Sequence, residues 1–234
     1  MTDPYARLAA AAADWDELHP RLDSGALDRL ALLLTALRTE TGADAGRAAL
    51  LAARLLEERL PDRFPGEGRL TAAPGAPAAP DTPAPDDPAT DAPAADHLGF
   101  TADDLAVLVL DGHRMVGPVL GEVRDRLLAA PALGDAEVLE AGSDPYAPYL
   151  IRLPARGGLI RLPAFQFTAG GRVRPAVREV NLLLGAAEDP WGAADWWLSP
   201  NAWLAGCAAP VALLGSPDEQ RLAGTAAFLA EGGQ

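Results

Sequence analysis

Eight of the 22 prolines fall between positions 65 and 93, spaced by Ala, Asp, Gly and Thr, and Leu70 is the only aliphatic residue larger than alanine between positions 65 and 96. Such a segment cannot bury enough apolar surface to offset its ordering entropy. The composition therefore predicts a disordered, semi-extended Pro/Ala/Asp-rich linker over residues 64–97. A linker of that kind rules out one continuous core and divides the 234 residues into two folded parts, 1–63 and 98–234. The predicted class is mainly α: an N-terminal helical hairpin or three-helix unit, the linker, and a C-terminal helical domain with a small β-hairpin.

Residues 4–60 read as three helices. Pro4 suits a first helical turn and Pro20 closes the first helix. Ser24 is the expected cap of the second, whose Leu27, Leu30, Ala31, Leu34 and Leu37 recur at helical spacing. The third carries Ala48, Leu51, Leu55 and Leu56 up to Leu60. The region displays no cluster of candidate site residues and reads as a packing or dimerisation unit.

Residues 98–133 read as two more helices. Thr101 followed by Asp104 makes a capping-box start, and Leu105, Val107, Leu108 and Leu110 supply an apolar face. Asp111-Gly112-His113-Arg114 is a turn. A second helix is expected over 116–130, with Val119, Leu120, Val123, Leu127 and Leu128 inward and Glu122, Arg124, Asp125 and Arg126 toward solvent. Further on, the run Leu150-Ile151-Arg152-Leu153-Pro154-Ala155 recurs letter for letter at 159–164 across Arg156-Gly157-Gly158. Two apolar strands around a Gly-Gly turn predict a hairpin, each strand ended by its proline.

Four of the five tryptophans, Trp191, Trp196, Trp197 and Trp203, lie in the next fifty residues. A helix is expected over 175–184 and a Trp-rich helix over 190–198, capped by Asp189 with Pro190 in its first turn. Trp196 and Trp197 are adjacent, so on one helix they diverge by about 100° and cannot both face the same core seam. One is expected to pack against Val177, Val180 or Leu184. The other, with Trp203 beyond the Pro200-Asn201 break, is expected at a surface that meets a partner, with the Asn201 side chain holding the turn. A last helix is expected over 217–229, with Leu222, Ala226 and Leu229 on its inner face.

The order of residues from Ile160 to Leu214 is R-x-P-A-F-Q-F, G-x-V-x-P, W…W-W-L, P-N-x-x-L-x-G and P-x-x-L-L. It resembles the toxin-binding domain of Xre/MbcA/ParS-type antitoxins, which pair with RES-domain toxins. The resemblance implies a small helical domain that binds and blocks a partner toxin, with Trp191, Trp196, Trp197, Asn201 and Trp203 as candidate partner-binding residues. It also implies that residues 98–164 hold the place of a degenerate winged helix-turn-helix and 165–234 that of the Trp-rich helical part. In such a wing Arg152, Arg156 and Arg161 would be the contacts to a DNA backbone. The C-terminal end in this family can enter the toxin's active-site cleft.

Charge argues against DNA. The chain carries 33 acidic residues against 19 basic ones, every one of them arginine, for a net of −14. Nucleic-acid binding rests on positive charge that displaces counterions, and a recognition helix would offer more Arg, Asn or Gln to base edges than the charge-balanced helix at 116–130 does. The single cysteine, Cys207, excludes an internal disulfide and a cysteine-based zinc site. His19, His97 and His113 lie far apart, no phosphate-binding loop is present, and no catalytic spacing occurs, so no enzyme activity, cofactor or metal is expected. The alanine run near the N-terminus lacks the basic residues of a signal peptide and no 18-residue apolar stretch exists, which predicts a cytoplasmic chain with no membrane partner. The function these features predict is a non-catalytic, antitoxin-like module whose partner is a RES-type toxin, with a homodimer as a second assembly. The alternatives are a winged helix-turn-helix transcriptional regulator and an orphan scaffold that keeps the fold without a toxin.

Overall fold

Helix ends in this chain are set by short polar side chains and by proline, and most lie where the sequence puts them. A computed structural model describes residues 3–65 and 99–232, and the chain divides into two compact units, the first ending at Gly112 and the second beginning at His113. The linker expected over 64–97 lies, apart from its first two residues, outside the described residues. Phe64 itself is buried in the core of the first unit.

In the first unit α1 (Pro4–Ala13) starts on Asp3, whose carboxylate accepts the Tyr5 N–H at 3.0 Å. A single turn, α2 (Trp15–Leu18), leads into a 3-10 turn at His19–Arg21. α3 (Ser24–Thr39) is capped by Asp23, which accepts the Ala26 N–H at 2.8 Å, so Ser24 is the first helical residue and not the cap expected of it. α4 (Gly42–Arg59) returns antiparallel along α3. Alanines 49 and 52 are fully buried, and their small side chains let the backbones approach while Leu30, Leu34 and Leu56 fill the space between.

Residues 99–112 join this same core. α5 (Ala102–Ala106) opens with the expected capping box of Thr101 and Asp104 and continues as a π-helical turn over Val107–Asp111, closed by Gly112 at φ 69°. Leu105 and Ala106 are fully buried against α1 and α3. Arg38 of α3 ties the element down, donating to Asp103 at 3.1 Å and Asp111 at 3.0 Å. The helix pair expected over 98–133 is thus divided: its first helix belongs to the first unit and its second to the other. Residues 99–112 group with the first compact unit, and the second begins at His113. The reason is packing that a sequence read in order does not reveal, since the apolar face of α5 finds its partners in α1 and α3, far earlier in the chain.

The second unit runs α6 (Gly117–Ala129), β1 (Ala132–Leu133), α7 (Asp135–Glu140), β2 (Leu153–Pro154), β3 (Ile160–Pro163), α8 (Pro175–Leu183), α9 (Pro190–Leu198) and α10 (Leu222–Gly232). The hairpin forms, with Leu153 opposite Arg161 and Pro154 opposite Ile160, and β1 adds an unexpected third strand on the other edge of β3. The two copies of the repeat meet different fates. Leu150 is 2% exposed and Leu159 68%, because only the end of the first copy is strand while Leu150 and Ile151 turn inward. Leu127, Ile151, Leu153, Val177, Val180, Trp197 and Leu222 form the main core, and α10 packs along α8.

Candidate partner-binding surface

The Trp-rich helix spans the residues expected of it. Asp189 accepts the Gly192 N–H at 2.8 Å, and a Cβ at Gly192 would stand 2.1 Å from the Asp189 carboxylate, so a side chain there would make the capping carboxylate shift. Four residues on, the adjacent tryptophans separate. Trp197 is 0% exposed and sits in one apolar cluster with Val177 and Val180, while Trp196 is half-buried with its ring edge-on to Trp197 at 5.1 Å. Trp191 is also buried, its ring 5.0 Å from that of His113. Trp191 and Trp197, expected among the partner-binding residues, are therefore core residues: both belong to the buried apolar cluster of the second unit, where apolar area is lost from water.

A buried polar network fixes that helix. The indole N–H of Trp197 donates to Asn181 Oδ1 at 2.8 Å. Asn181 Nδ2 donates to the Tyr149 carbonyl at 2.8 Å and to Gln166 Oε1 at 3.1 Å. Gln166 in turn accepts from the Ile151 N–H at 2.8 Å and donates to the Ile151 carbonyl at 3.0 Å, replacing the strand neighbour that this residue lacks. Gln166 and Asn181 are completely buried. Sequence reasoning missed both as determinants of the site. The only local signal was two amides flanked by large apolar residues.

Beyond α9 the chain turns at Asn201, whose Oδ1 accepts the Trp203 N–H at 2.9 Å, the role expected for it. Asn201 is buried and makes the turn, so it is not itself a contact surface. Leu204 takes the inner side of the turn at 4% exposure and leaves Trp203 outside at 61%. Trp203 is not alone. Phe228 of α10, 56% exposed, lies with its ring 5.0 Å away in an edge-on arrangement. Phe228 was legible in principle: with Leu222 and Ala226 inward, position 228 falls off that face of the helix.

Two of the three hairpin arginines are engaged within the second unit. Arg152 makes a two-pronged ion pair with Asp135 at 2.8 and 3.2 Å, with its guanidinium 4.6 Å above the Tyr146 ring. Arg161 donates to the Ala130 carbonyl at 3.2 Å. Arg156 stands exposed in the turn between the strands. Two of the three candidate DNA contacts thus hold the second unit together.

An open groove of about 540 Å³ is lined by Ser143, Asp144, Tyr149, Arg178, Glu179 and Leu182 among others. The Ser143 hydroxyl donates to the Gly171 carbonyl at 2.9 Å and Asp144 accepts the Tyr146 N–H at 2.9 Å, which commits both to local structure. Among the described residues no group of three His, Cys, Asp or Glu is placed to hold a metal ion, and no helix is long and apolar enough to cross a membrane. Comparison with protein-family models, with curated proteins and with solved structures found no match.

Proposed function

We propose that this chain is a non-catalytic, antitoxin-like binding module that neutralises a RES-type, NAD-degrading toxin by covering its active site. The observation that carries the reading is the exposed Trp203–Phe228 pair, held by the Asn201 turn at the end of the segment that resembles the antitoxin toxin-binding domain. Exposed aromatic side chains on a rigid support are the side chains that dominate protein–protein binding energy. The support here is rigid because Trp197, Asn181 and Gln166 lock α9 to α8 and to the segment before the hairpin. The ion-paired Arg152 and the net charge of −14 favour a protein partner over DNA.

The test is co-expression with a RES-domain protein encoded beside this chain. The expected result is restored growth and co-elution of the two proteins, with no consumption of NAD by this chain alone. A toxin that stays active in the presence of the folded chain would contradict the reading.

A further inference from the structure

The sequence around Trp203 is uncharged over a long run. No Asp, Glu, Lys, Arg or His occurs in the 22 residues from Trp196 to Pro217, or in the nine from Leu222 to Ala230, on a chain in which 22% of residues are charged. These are not simply buried stretches. Pro200, Ala202, Trp203, Ala205 and Cys207 are exposed in the first and Phe228 in the second, and the Trp203–Phe228 contact joins the two. Elsewhere exposed positions are heavily acidic, with Asp16, Glu17, Glu58, Glu122, Glu140 and Glu188 all at the surface.

Depletion of charged residues together with enrichment of aromatics is the compositional mark of an interface core, whereas a surface that merely faces water carries charge like its surroundings. An exposed aromatic pair carried by two such uncharged runs offers a basic partner no counter-charge from within either run. We infer that the occupant of this surface is an uncharged, apolar concavity on the partner protein that receives the Trp203 indole. The inference rests on the partner-binding reading and adds that the contact is apolar and not electrostatic. Its free energy comes from burial, which salt does not screen, and the excess of acidic charge elsewhere on the chain contributes little to the affinity.

The experiment is calorimetric titration of the full chain into the adjacent-gene RES-domain protein at about 0.1 and about 0.5 M NaCl, where the screening length falls severalfold. Wild type, Ala202→Glu and Trp203→Ala are compared, and the melting temperature of each is recorded. An apolar contact predicts a Kd that changes by less than about threefold with salt. It also predicts weakening of about 30-fold or more for Trp203→Ala and about tenfold or more for Ala202→Glu, with melting temperatures unchanged. A contact driven by a basic partner predicts the reverse for Ala202→Glu: tighter binding, with strong loss of affinity at high salt. That outcome overturns this inference and leaves the partner reading standing, as would full affinity of Trp203→Ala. Absence of binding at any salt overturns both. Concentration-dependent dimerisation abolished by Trp203→Ala would assign the surface to a second copy, and binding of the chain alone to neutral phosphatidylcholine vesicles would assign it to a lipid surface. Either result overturns the inference.

Discussion

Asn181 uses both amide protons and its carbonyl oxygen in hydrogen bonds while fully buried. Replacing it with alanine strands the Tyr149 carbonyl, one acceptor site on Gln166 and the Trp197 indole N–H, each a buried group costing about 1–3 kcal/mol when left unmade. Asn181→Ala is therefore expected to destabilise the second unit by about 3 kcal/mol or more in chemical denaturation. An effect below about 1 kcal/mol would show that the network is replaceable. At the other end of the chain, Arg21 donates to both oxygens of Asp62 at 2.7 and 2.9 Å, and this hydrogen bonding holds the exposed carboxyl below its ordinary value. A depressed carboxylate contributes stability above its unfolded value and loses it as pH falls through the folded one. NMR titration should place the Asp62 midpoint below the usual aspartate range, and Arg21→Ala should return it upward.

Elements show how far local sequence reaches. α9, its Asp189 cap and the Thr101–Asp104 capping box stand where the sequence put them, because each depends on residues within one turn. The hairpin pairing also follows from its Gly-Gly turn, with Gly157 and Gly158 both at φ 74°. What the sequence does not reveal is decided at long range. Leu150 is buried among Val138, Leu162 and Phe167 while Leu159 of the identical six-residue run is exposed, and the membership of α5 depends on α1 and α3. The candidate site is split in the same way: the turn at Asn201 is local and was legible, whereas the choice of Trp197 over Trp196 for the core follows from Asn181 on another helix. Leu105 tests the reassigned element. Leu105→Ala should lower the stability of the first unit by about 2–5 kcal/mol, read from hydrogen exchange in α1 and α4, with amides of the second unit unaffected. Loss of protection in α6 and α9 instead would place α5 with the second unit.

At the scale of the whole molecule charge is unevenly spread along the chain. The chain carries an acidic excess of 14, while the uncharged segment around Trp203 is the part with composition suited to a protein interface. Two tryptophans six residues apart thus differ in placement, Trp197 buried in the core and Trp203 exposed, and the proposed partner contact falls to the second. The most direct measurement is a paired one on Trp197→Ala and Trp203→Ala: thermal unfolding of each, and affinity of each for the adjacent-gene RES-domain protein. Trp197→Ala is expected to lose about 3–5 kcal/mol of stability. Trp203→Ala is expected to melt with wild type and lose about 2 kcal/mol or more of binding free energy. Equal destabilisation by both substitutions, or wild-type affinity in Trp203→Ala, would contradict the assignment of the exposed aromatic pair to partner binding.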